Sequence, residues 1–157
     1  AREIRPAHYG LASEINTLAA HGDPVLYAEL VDLNNTLAPQ IRAIAPGAQV
    51  FVSFQVDDAW NLFPLPGPSI DHFALIDDFD LDVLGLSSYP VFVWETPDQI
   101  PDTYFSRFRD ATDLPLILVE GDGAPKTWAG CRARWRSRRL SSVASRSCWT
   151  GWRRRSG

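Results

Sequence analysis

Methionine is absent from all 157 residues, and no acidic residue follows Asp122. The N-terminal stretch "AREIRPAHYG" also lacks an apolar signal core, so the chain reads as a piece that begins partway through a longer protein. The missing acids divide the charge. All 19 Asp and Glu lie between Glu3 and Asp122 beside five arginines, giving 5 − 19 = −14, whereas Lys126 and nine later arginines give +10. The net charge of −4 therefore describes neither region. Cysteine is missing before Cys131 and Cys148, which excludes a disulfide or thiolate metal site from the body of the chain. No apolar run is long enough to span a bilayer. Glycine-rich phosphate loops are missing too. The one candidate, "GDGAP" at 121–125, has neither the G-x-G-x-x-G spacing nor a helical pattern after it, which weakens a nucleotide-binding reading.

The last residues, "KTWAGCRARWRSRRLSSVASRSCWTGWRRRSG", show no helical or strand periodicity. Their Arg, Trp, Ser, Cys and Gly content is what GC-rich coding DNA yields when read out of frame. The expected organisation is thus one domain over 1–124 and a basic tail over 125–157, in a non-native frame or disordered. A basic arm with interleaved tryptophans for nucleic acid is the functional alternative, less economical because the acids stop so abruptly.

What is present in 1–124 alternates. "AHYGLASE" reads as a strand ending at Glu14. Asp23 and Pro24 make a helix start, and Leu26, Leu30, Leu33, Leu37, Ile41 and Ile44 recur as one apolar helix face, with a kink or break expected at Pro39. "QVFVSFQV" (49–56) is a second strand, followed by irregular chain through "DDAWNLFPLPGP". Ser69 is placed to cap a short helix in "IDHFALIDDF"; "LDVLGLSSYP" (81–90) is a third strand, "PDTYFSRFRDAT" a helix and "LPLILVE" (114–120) a fourth strand. The order β-α-β-α-β-α-β with nearly continuous apolar strands predicts an α/β fold with a parallel sheet, either doubly wound or barrel-like.

In such folds functional groups gather at the C-terminal ends of strands. Two of the four ends place a glutamate directly after an apolar run, Glu14 and Glu120, with Gln55 and Tyr89 at the ends between them. Paired carboxylates suit glycoside hydrolysis, where one is protonated and assists the leaving oxygen while the other is ionised. His8, His21 and His72 show no metal-ligand spacing; His21 and His72 read as surface or capping residues, and His8 as packing inside. Asp57 and Asp58 read as exposed loop acids.

"SEIN", "VFVSFQ", "DVLGLSSYP" with "IPDTYF", and "PLILVEGD" together resemble strands four to seven of a (β/α)₈ barrel of glycoside hydrolase clan A, most nearly the arabinogalactan endo-galactanase type, over about residues 6 to 123. The resemblance implies a partial TIM barrel from a retaining hydrolase of β-linked polysaccharide or oligosaccharide, extracytoplasmic, without cofactor or metal and without a membrane or nucleic-acid partner. It makes Glu14 the acid/base and Glu120 the nucleophile. Ser13, Asn16, Gln55, Trp60, Tyr89 and Trp94 become substrate-binding candidates, the tryptophans by stacking on sugar rings. Ser13 departs from the asparagine the clan usually has before its acid/base, and Asn16 is a possible substitute. That departure leaves a non-catalytic carbohydrate-binding barrel relative as the alternative. Half a barrel would expose two strand edges, so little activity is expected of the fragment alone.

Overall fold

The computed structural model describes residues 6–62 and 70–121. Four parallel strands form one sheet in the order in which they occur: β1 (His8–Ala12), β2 (Gln49–Gln55), β3 (Leu84–Ser88) and β4 (Leu116–Gly121). Between them run α1 (Ile15–His21), α2 (Pro24–Ile44), α3 (Val56–Ala59) and α4 (Ser106–Ala111), with 3₁₀ turns at Ala74–Asp78, Pro90–Phe92 and Pro97–Gln99. This is an α/β fold. Its described strand order never reverses, whereas a doubly wound sheet is built around such a reversal.

The sheet has two unlike faces. Val52 and Phe54 of β2, Leu84 and Leu86 of β3 and Leu116 of β4 alternate onto one face and join Ile15, Ile76, Phe79, Ile100 and Phe108 in a single core. On the opposite face the Phe51 ring lies across neighbouring strands, and only glycine fits beside it. A Cβ at Gly10 would come within 2.6 Å of the ring, and one at Gly85 within 2.8 Å. Toward the strand ends this face turns polar, with Ser53 and Ser87 buried at 1% and 0% exposure.

Three expectations need correction. Pro39 does not break its helix; α2 runs from Pro24 to Ile44 with Pro39 inside it. An interior proline costs about 3 kcal/mol, and here the helix is anchored on both sides of it. Asn34 and Ala38 are buried, and Arg42 bonds Asp80 at 2.7 Å and Asp82 at 3.1 Å. Nor do the leucines set the buried stripe. Leu26, Leu33 and Ile44 are 45%, 50% and 83% exposed, while Asn34 and Ala38 are buried and Tyr27, Leu30 and Val31 pack on the core. The contact face is rotated by about one residue from the leucine pattern. Finally, "INTLAAH" is a helix (α1) that the polar residues around it concealed, and the helix in "PDTYFSRFRDAT" is limited to Ser106–Ala111. The Ser69 cap and the basic tail lie outside the described residues.

Candidate functional site

The first strand stops at Ala12, and Glu14 turns the chain with φ 52° and ψ 43°, a left-handed conformation that disfavours a side chain, before α1 begins. Two contacts secure that turn. The Glu14 N–H donates to the Ser53 hydroxyl at 2.9 Å, and Thr17 N–H donates to the Glu14 carbonyl at 3.0 Å. Asn16, fully buried, then clips the loop to the end of β2: its Oδ1 accepts from Gln55 N–H at 2.7 Å and its Nδ2 donates to the Gln55 carbonyl at 2.9 Å. The Gln55 side chain also turns inward, accepting from Asp58 N–H at 2.6 Å and donating to Asp57 at 3.1 Å. Both amides expected at the substrate are therefore committed to holding strand ends together.

Glu120 lies at the end of β4, exposed, and each of its oxygens has a donor. Ser13 Oγ donates to Oε1 and Tyr89 OH to Oε2, both at 3.1 Å. Thus Ser13, Glu14, Tyr89 and Glu120 come together at one rim of the sheet. A hollow of about 360 Å³ opens beside them, lined in part by Ser13, Phe51, Ser53 and Glu120. Burial pushes the Glu14 carboxyl above the usual glutamate range. The charge of Glu120 adds to that, a hydrogen bond with Ser87 opposes it, and Asp58 and Asp57 add smaller increments.

Beneath the rim, Asp57 is fully buried and its carboxylate gathers three donors. Tyr89 N–H reaches Oδ2 at 2.8 Å, Gln55 Nε2 reaches the same oxygen at 3.1 Å, and the Tyr104 hydroxyl bonds Oδ1. Burial and that bond push the Tyr104 hydroxyl far above the ordinary tyrosine range. Asp58 is 4% exposed and lies 3.2 Å from His21 Nε2. These acids are internal, not the exposed loop residues the sequence suggested. His72 likewise is buried, its Nδ1 3.2 Å from Asn16 Nδ2, and burial lowers its pKa. Since Asn16 Nδ2 is a donor, His72 Nδ1 accepts and its proton sits on Nε2. His8, expected inside, is exposed at the start of β1.

The tryptophans pack on the protein itself. Trp60 Nε1 donates to the Tyr104 carbonyl at 2.9 Å and its ring stacks on Tyr104, while Trp94 meets the Tyr104 ring edge-on at 5.4 Å. Arg107 covers the Trp60 ring at 5.1 Å. Tyr104, the hub of these contacts, and the buried serines Ser53 and Ser87 were not singled out in the sequence. The one available signal was a small hydroxyl at inward-facing positions of otherwise apolar strands. Among the described residues no cluster of His, Cys, Asp or Glu is arranged to hold a metal ion, and no helix is long and apolar enough to cross a membrane. Compared with known proteins, the chain matches no family model, no curated protein and no solved structure.

Proposed function

We propose that the four βα units are part of a (β/α)₈ barrel, corresponding to its strands four to seven, in a retaining glycoside hydrolase acting on β-linked polysaccharide. Glu14 is its acid/base and Glu120 its nucleophile, and no cofactor takes part. The observation that carries this reading is the unequal treatment of two neighbouring carboxyls. Glu120 has a hydroxyl donor on each oxygen, whereas burial, with the Glu120 charge adding to it, favours the proton on Glu14. A carboxyl that holds its proton beside one whose oxygens accept hydrogen bonds is what the reaction needs. Glu14 gives its proton to the departing glycosidic oxygen as a Glu120 oxygen bonds to the anomeric carbon. Glu14 then takes a proton from water, whose oxygen displaces Glu120 and restores both groups.

Ser13 supports the alternative, a non-catalytic carbohydrate-binding relative, because its hydroxyl is spent on Glu120 instead of facing a substrate 2-hydroxyl. A mechanism-based 2-fluoro-glycoside separates the two in a protein that completes the barrel. The hydrolase reading expects a covalent glycosyl adduct on the tryptic peptide spanning 110–126, which contains Glu120, and its loss in Glu120→Gln. Sugar binding with no adduct, unchanged in Glu14→Gln and Glu120→Gln, would establish the alternative.

A further inference from the structure

Among the described Phe, Tyr and Trp residues, Phe92 alone stands mostly in solvent, at 70% exposure. The other exposed large apolar side chains, Val25, Leu26, Leu33 and Ile44, all belong to α2. A single exposed phenylalanine is ordinary by itself. Two things set this one apart: the backbone that holds it and the residue it touches.

The turn that carries Phe92 is anchored on both sides. Pro90, which opens it, is buried, and Trp94, which follows it, meets the Tyr104 ring edge-on. Between these anchors Phe92 N–H donates to the Tyr89 carbonyl at 3.0 Å, and Val93 and Trp94 N–H both donate to the Pro90 carbonyl, at 3.0 and 2.9 Å. Phe92 is thus fixed in place while its side chain is left in water. Its ring stacks on Tyr89, with centroids 5.8 Å and planes 30° apart, and the Tyr89 hydroxyl donates to Glu120 Oε2 at 3.1 Å. One aromatic ring therefore separates an exposed, rigidly mounted phenylalanine from the carboxylate at the rim.

A sugar ring suits such a surface. Its faces carry C–H bonds, weakly positive and apolar, which match the negative face of an aromatic ring, while its hydroxyls stay at the edge in water. Units that do not react also position the one that does. Trp60 is not open to that role, since Tyr104 stacks on its ring, Arg107 covers it and its Nε1 bonds the Tyr104 carbonyl. We propose that Phe92 is a substrate-binding residue, whose open ring takes the C–H face of a sugar unit neighbouring the one at Glu120. The proposal rests on the carbohydrate reading of this rim, common to the hydrolase and to its non-catalytic alternative, and gives the stacking role to a residue other than Trp60 and Trp94.

The test uses the intact chain with carbon-13-labelled phenylalanine rings, and β-linked galacto-, xylo-, manno- and cello-oligosaccharides as probes. Phe92→Leu assigns the Phe92 ring signals by their loss. It keeps an apolar side chain beside Tyr89 but removes the flat face, and at an exposed position it should leave folding intact. The expected result is nuclear Overhauser contact between sugar C–H protons and the Phe92 ring. Affinity should fall about tenfold in Phe92→Leu and stay near the parent's in Phe92→Trp. If Phe92 only props Tyr89, leucine serves as well, so an unchanged affinity in Phe92→Leu overturns the proposal. An oligosaccharide that binds without touching Phe92 also overturns it and leaves the hydrolase reading standing. Phe92 signals that change with protein concentration in the absence of sugar would make the ring a contact between copies, which overturns it too. Stacking as expected, with no glycosyl adduct on Glu120 in a completed barrel, sinks the hydrolase reading and leaves the Phe92 assignment intact. Failure of every probe to bind, in the intact chain and in the completed barrel, overturns the proposal together with both carbohydrate readings.

Discussion

The two faces of the sheet are made from the same strands and do opposite things. On β2, Val52 and Phe54 are fully buried in the core, while Phe51 and Ser53, alternating with them, line the hollow beside Glu120. One face is closed by apolar packing, which is non-directional and tolerates approximate fits. The other is closed by hydrogen bonds between specified atoms, where a single missing partner leaves a buried polar group unsatisfied. Apolar packing and directed hydrogen bonding thus occupy alternate residues of one strand, and substitutions can separate them.

The largest expected effect is on the packed face. Phe54→Ala should cost about 3–5 kcal/mol of unfolding free energy in chemical denaturation, against roughly 1 kcal/mol for the half-buried Phe51→Ala. Equal losses would mean that the second face is also core, and the contrast would fail. Next comes Asp57→Asn, which keeps the shape but replaces one acceptor oxygen with a donor beneath three donors. About 2–3 kcal/mol should be lost, whereas Glu120→Gln, at the exposed rim, should change stability by less than about 0.5 kcal/mol. A Glu120→Gln loss as large as that of Asp57→Asn would place Glu120 in the structural network.

The smallest effect depends on pH. Folding raises the Glu14 pKa above the ordinary 4.5, so its contribution to stability is fully present below that value and is lost as pH rises through the raised one. Glu14→Gln, with no charge to bury, should melt above the parent near about pH 7, the difference closing by about pH 4. A gain that persists at the acid end would indicate a packing effect and not a charge effect.

The strands were legible because β-branched and aromatic runs state themselves locally, and the two glutamates followed from where those runs stop. What escaped depended on distant partners. Asp57 resembles any loop acid until Tyr104, 47 positions later, is folded against it. Asn34 looks like a solvent residue on a leucine-faced helix, yet it is buried and its amide reaches the Asp80 carbonyl at 3.4 Å. Periodicity registers hydrophobicity, not the rotation of a helix about its own axis, so the leucines suggested the wrong stripe. Ser13 stands beside Glu120, and that its hydroxyl turns toward that carboxylate is a matter of direction that no spacing encodes.

The left-handed turn at Glu14 has an evolutionary consequence. A residue with a side chain in that conformation costs on the order of 1 kcal/mol, which glycine would not incur. A library of variants selected for thermal resistance alone should therefore drift toward Gly at position 14, erasing the carboxyl while improving the scaffold. Under the proposed function, selection for chemistry and selection for endurance pull this one codon in opposite directions.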